Sequence, residues 1–238
     1  MGSMSRTVAI LCTRPVRPRR HSLGRMELPL FPLHTVLFPG RPLPLHVFEQ
    51  RYRDMLRDCL ESDRRFGVVA IRSGAEVGPG ADLFEVGTIA EIERVEQLPG
   101  GGADIVTRGT QRFRIGELVP GTPYLRAQAE PIADSAPVMT DIDRARALRN
   151  RLITYLGALG APDEMLARIP TAPAPLAWLA AATLQVEVHQ QQQLLEVEDC
   201  GRRLDLTLGL LRREAGIVRH FGTVGALRPV VPGGTDLN

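Results

Sequence analysis

The sequence predicts an α+β protein, with an antiparallel β-barrel lobe followed by a C-terminal helical bundle. Three observations predict it. An apolar run broken by prolines begins at Leu28, and alternating apolar and charged residues flank a glycine-rich turn at Leu98–Gly102. Beyond Asp134 the apolar residues recur with a longer step. A repeat of two belongs to a strand and a repeat near 3.6 to a helix, so the change divides the chain into two kinds of structure.

Pro29, Pro32, Pro39, Pro42 and Pro44 each lack a backbone N–H and hold φ fixed. The run from Leu28 to Val47 therefore reads as edge strands and turns, not as a helix or a central strand, with its leucines and phenylalanines pinned into a core. Phe48, Tyr52, Met55, Leu56, Cys59 and Leu60 then share one helical face, opposite Arg51, Arg53, Asp54, Arg57, Asp58 and Glu61. Glu49 and Arg53 stand at the spacing of a helical ion pair. Phe66–Arg72 is a β-branched strand, and Gly74, Gly78 and Gly80 mark the turn after it.

Over residues 83–97, Phe84, Val86, Thr88, Ala90 and Ile92 alternate with Glu85, Glu91 and Glu93, and the phase slips at Arg94–Val95, which predicts a bulge. The return strand after the Leu98–Gly102 hairpin turn carries Ile105, Thr107, Phe113 and Ile115 on one face. Arg108, Arg112 and Arg114 lie on the other. Pro120-Gly121 turns the chain into a last strand ending near Ile132.

Residues 134–140 read as a linker, with Thr140 as helix N-cap and Asp143 three residues on. Ala145, Leu148, Leu152, Tyr155 and Leu159 continue at helical period until Gly160-Ala161-Pro162 stops them. Another helix follows around Leu176–Leu184, beside Trp178. The glutamine run leads into a last helix from about Glu198 to Gly216, whose inner stripe is Val197, Gly201, Leu204, Leu208 and Leu211. The expected division is a flexible tail or residues added for expression (1–25), a β-rich lobe (26–134), a bundle of about four helices (135–216) and a flexible C-terminal tail (217–238).

All 29 basic residues are arginine. Without lysine there is no Walker A loop, no Schiff-base chemistry and no Ser-Lys dyad. A net charge of +2 is too small to demand nucleic acid or an anionic membrane. The three cysteines, Cys12, Cys59 and Cys200, are odd in number and far apart, so no disulfide framework is expected and a reducing cytoplasm fits. Cys59 reads as a small buried hydrophobe. No apolar run approaches the length of a transmembrane helix.

His34 and His46 sit among apolar residues as structural histidines, and no His/Cys spacing matches a zinc site. No Gly-x-Ser-x-Gly elbow accompanies the serines, and the glycines at 74–80 and 100–102 do not lead from strand to helix as a phosphate loop must. The expectation is a protein that is not an enzyme and holds no cofactor or metal.

Leu28–Leu33 (LPLFPL), Leu37–Gly40 (LFPG), Leu43–Met55 (LPLHVFEQRYRDM), Arg108–Ile115 (RGTQRFRI) and Gln191–Leu211 occur in the order of the signatures of the Lon protease amino-terminal domain. Over roughly residues 26–215 the chain resembles that substrate-binding domain in a free-standing form, without the ATPase and protease modules. The resemblance implies a PUA-like barrel, and a role in recognising unfolded or damaged polypeptides, or as a protease adaptor, without catalysis. Its partners would be unfolded polypeptides or a partner protease. Leu30, Phe31, Phe38 and Pro39 are candidates for peptide contact, or else fill the barrel core. Arg108, Arg112 and Arg114 are candidates for contact with an anion or partner, or else form a solvated face paired with Glu91 and Glu93. The alternative function is nucleic-acid binding through that arginine face, disfavoured because interleaved aromatic residues are missing.

Overall fold

The computed structural model describes residues 24–74 and 82–221. The expected N-terminal tail up to residue 23, the turn around Gly78 and Gly80, and residues 222–238 lie outside the described residues.

The strands are β1 (Met26–Leu33), β2 (Pro42–Val47), β3 (Arg65–Ser73), β4 (Asp82–Leu83), β5 (Val86–Gln97), β6 (Ala103–Leu118) and β7 (Arg126–Ile132), with helix α1 (Gln50–Glu61) between β2 and β3. The sheet runs β1–β7–β6–β5–β3, and β1 also pairs with β3, so the order closes on itself as a barrel. β2 lies on the first half of β6.

β1 departs from the expectation of an edge strand. Met26–Pro29 run antiparallel to β7, and Leu30–Leu33 run parallel to β3. The strand changes partners between Pro29 and Leu30, and each half is laddered to one neighbour, so a proline's missing N–H leaves no gap in a two-sided ladder. Leu30 opens the second half by donating its backbone N–H to Leu125 O.

Side-chain alternation in β1 sends neighbouring residues into different cores. Leu28 and Leu30 enter the barrel with Val69, Ile89, Phe113, Ala127 and Ala129. Phe31 packs outside it, under Tyr52, Met55, Leu56 and Cys59 of α1. The barrel interior is tight around Phe113. A Cβ at Gly67 would stand 2.5 Å from that ring, and one at Gly87 would meet Val68 O at 2.5 Å. These two glycines are there because nothing larger fits.

The bulge falls where the phase slip placed it, with the β5–β6 register shifting between Ile92 and Arg94. Val86–Ala90 are buried on both faces, however, because the barrel fills one side and helices cover the other. Phe48 precedes α1, is 65% exposed and stacks on His46. Glu49 pairs with Arg51, while Arg53 reaches Gln50 and Gly101, so the Glu49–Arg53 pair does not form.

The second lobe holds α2 (Met139–Ala158), α3 (Asp163–Ala167), α4 (Pro173–Thr183), α5 (Val188–Glu196) and α6 (Cys200–Phe221). The glutamine run is a helix of its own, ended by the extended backbone of Val197. α2 starts one residue before Thr140, with Val138 as its N-cap, and the Asp141 carboxylate accepts the Val138 N–H at 2.9 Å. One core cluster joins the lobes: Val36, Phe38, Ala70 and Val86 pack with Leu148, Leu176, Trp178, Leu195 and Leu204.

Two predictions follow from this packing. Gly67→Ala forces Phe113 to move and should cost about 2 kcal/mol by urea unfolding, partly recovered in a Phe113→Leu background. Burial raises the Cys59 thiol to about 12, and raises the Tyr124 and Tyr155 hydroxyls to about 12, aided by Asp58 and Glu214 respectively. These acids ionise more readily in the unfolded chain, so the stability they hold is complete below about pH 9 and is lost as pH rises towards 12. The urea midpoint should fall through that window, and Tyr155→Phe should flatten the decline.

Candidate functional site: the lobe junction and the helical surface

The four side chains expected to contact peptide are all buried. Leu30 lines the barrel interior, and Phe31 stacks on Tyr52 with ring centroids 4.1 Å apart. Phe38 faces Trp178 at 6.0 Å across the lobe junction, with Pro39 buried beside it. Peptide contact at these positions gives way to core packing, because the barrel and helices use the same apolar surface that a client would need.

The arginine face divides as well. Arg108 clamps Glu93 through Nε and Nη2 and donates Nη1 to Gly40 O at 3.1 Å. Arg114 lies 3.7 Å from Glu85 and 3.9 Å from Glu198. Arg112 leaves the surface altogether, its side chain 0% exposed, so it cannot meet an external anion. The strand-face expectation failed here because Trp178 of α4, the end of α5 and Asp134 close over Arg112.

Arg112 instead builds the lobe junction. Its Nη1 donates to Leu195 O at 2.8 Å and Val197 O at 3.1 Å, and its Nη2 to Asp134 Oδ1 at 2.7 Å. Arg203 of α6, equally buried, donates to the same Asp134 oxygen at 3.2 Å and to Val197 O. Both guanidiniums lie over Trp178, Arg203 at 3.5 Å from the ring centroid and Arg112 at 5.5 Å. Two cations thus share one carboxylate and one indole ring, so that hydrogen bonds, ring quadrupole and counter-charge offset part of their desolvation. Arg112 Nε, Arg203 Nε and Arg203 Nη1 stay buried without a hydrogen-bond partner among the described residues. Burial and the neighbouring Arg112 draw Arg203 down to about 10, against the opposing pull of Asp134. Gln192 adds a further tie, donating to Val86 O at 2.9 Å.

Sequence reasoning missed Asp134, Arg203 and Gln192. The available signal was an arginine inside the apolar stripe of α6 and a lone tryptophan one helix away. Among the described residues, no group of three or more His, Cys, Asp or Glu could hold a metal ion. His46 pairs with Asp104, and no helix there is long and apolar enough to cross a membrane.

The surface is where a ligand could be met. Val138, Met139 and Ile142 at the start of α2, and Leu206 on α6, are large apolar side chains left exposed. Between α5 and α6 lies an open cleft with a floor of leucine and glycine.

A closed β-barrel locked to a helical bundle defines an α+β protein of mixed architecture. The chain belongs to the family of the ATP-dependent protease La (LON) substrate-binding domain, whose family model matches residues 27–213. It is 34% identical over 200 residues to a Lon protease of Anaeromyxobacter dehalogenans, the alignment covering 81% of this chain and 24% of that protein. With a Lon protease of Escherichia coli K12 the identity is 27% over 203 residues, covering 82% and 26%. The chain therefore spans about a quarter of these relatives.

Among solved structures, a Lon N-terminal domain protein from Xanthomonas campestris matches with a TM-score of 0.58 at 30% identity, over 77% of this chain and 98% of that one. The N-terminal domain of a Mycobacterium avium complex Lon protease matches with a TM-score of 0.64 at 20% identity, over 79% and 98%. The latter likeness speaks for the fold alone.

Removing the shared counter-charge tests the junction. Asp134→Asn leaves two buried guanidiniums without a carboxylate and should cost about 3 kcal/mol. Adding Arg203→Met should return part of that loss, and Trp178 fluorescence with far-UV circular dichroism in urea measures both.

Proposed function

We propose that this chain is a non-catalytic, cytoplasmic polypeptide-binding module that holds exposed apolar segments of unfolded or damaged proteins. It would present them to a partner protease as an adaptor, or compete with that protease for them. The observation that carries this reading is the match of residues 27–213 to a substrate-binding domain family. The exposed apolar side chains of α2 and α6 support it, since an unfolded client offers the same kind of surface.

Nucleic-acid binding through the arginine face is the weaker reading. Arg112 is buried, and Arg108 and Arg114 each already face carboxylates. The remaining positive face is too small for the steep salt dependence that phosphate contacts produce.

Fluorescence anisotropy tests the proposal with a labelled, permanently unfolded polypeptide, its folded counterpart and a single-stranded RNA. Saturable binding to the unfolded chain alone is expected, changing little from about 50 to about 200 mM salt because apolar burial drives it. Binding to RNA alone, or to none of the three, overturns it.

A further inference from the structure

α6 leaves a gap in its own surface. Asp205, Leu206, Gly209, Leu210 and Arg213 recur at the spacing of one helical face, and with Leu194 of α5 they bound an open cleft of about 380 Å³. That volume is within the range of ligand-binding clefts. Its floor is aliphatic: Leu194 and Leu210 are buried at its base, while Leu206 is 42% exposed at its edge. Gly209 is an exposed member of the lining, where an added Cβ would meet nothing within 4 Å. A glycine in the interior of a helix weakens it, and here no close neighbour requires one. Its effect is to keep the cleft open.

The rim has a definite polarity. Gln190 and Gln193 line the α5 wall, and each amide can both donate to and accept from an extended backbone. Asp205 is already engaged, 3.2 Å from Arg144. Arg213, one helical turn beyond Gly209, is exposed and has no ion-pair partner among the described residues. The uncompensated charge of the cleft is therefore a single guanidinium, whose planar fork suits a carboxylate.

We propose that the α5–α6 cleft is the seat of the client polypeptide, and that it selects an extended apolar segment with an acidic residue next to its large side chains. The inference rests on the polypeptide-binding reading and adds to it the site and a charge preference. One apolar side chain of the client fills the space over Gly209 against Leu194, Leu206 and Leu210. The glutamine amides hold its backbone, and Arg213 pairs with the adjacent carboxylate.

The test uses the full chain and two labelled dodecapeptides that share a Leu-Phe-Leu centre, one followed by two aspartates and the other by two arginines. The acidic peptide should bind about tenfold tighter, an amount one charge-assisted pair can supply. Gly209→Leu, which plugs the cleft from a position with open space, should weaken both peptides about tenfold or more while the melting temperature is retained. Arg213→Glu should abolish or reverse the acidic preference while leaving the apolar contribution.

Wild-type binding that neither substitution alters would overturn the cleft and leave the polypeptide-binding reading standing. Equal affinity for the two peptides, or an Arg213→Glu effect of the same size on both, would overturn the charge preference. If the wild type binds neither these peptides nor the unfolded polypeptide, both readings fall.

Discussion

Two guanidiniums held out of water against one carboxylate fix how the two lobes of this protein meet. Arg112 comes from the barrel, Arg203 from the last helix, Asp134 from the segment joining the lobes and Trp178 from the helix between. No one of these elements could bury its own charge alone. Even with all four together the penalty of desolvating two cations is only partly offset, since three guanidinium nitrogens keep no hydrogen-bond partner among the described residues. The cluster is therefore better suited to specify one docking geometry than to add stability. The Leu195 and Val197 carbonyls extend that specificity to the end of α5, which explains why the glutamine run forms a separate helix instead of merging with α6.

Much of the fold could be read from the chain because local patterning and tertiary structure agree. The hairpin at Leu98–Gly102, the bulge near Arg94 and the apolar stripe of α2 obey periodicities that the surroundings reinforce. The failures share a cause. Pro29 and Pro32 argued for an edge strand because sequence cannot show a strand exchanging one partner for another midway. Arg112 was placed outside because alternation gives a face, but not what covers it. Leu30, Phe31, Phe38 and Pro39 were legible as apolar and not as interior, since a client-binding surface and a core are built from the same side chains.

The α5–α6 cleft was the least legible part for a related reason. It depends on what α6 lacks: Gly209 is informative only once the leucines around it are known to leave space. Leu206 and Leu210 lie outside the inner stripe that periodicity picks out on this helix. Only their differing exposure, one at the rim and one at the base, separates a packed helix from an open one.

The double pairing of β1 bears on how such a chain matures. β1 needs β7, which lies about a hundred residues further along the chain, to complete its ladder, so the barrel is built from non-local contacts and closes late. Until β7 emerges, the Met26–Pro29 half of β1 has no partner for its ladder and Leu28 lacks the Ala127 and Ala129 side of its core. Pro29 and Pro32 interrupt the strand and blunt its capacity to pair with other chains. The prolines that looked like obstacles to a strand thus serve as its guards during synthesis.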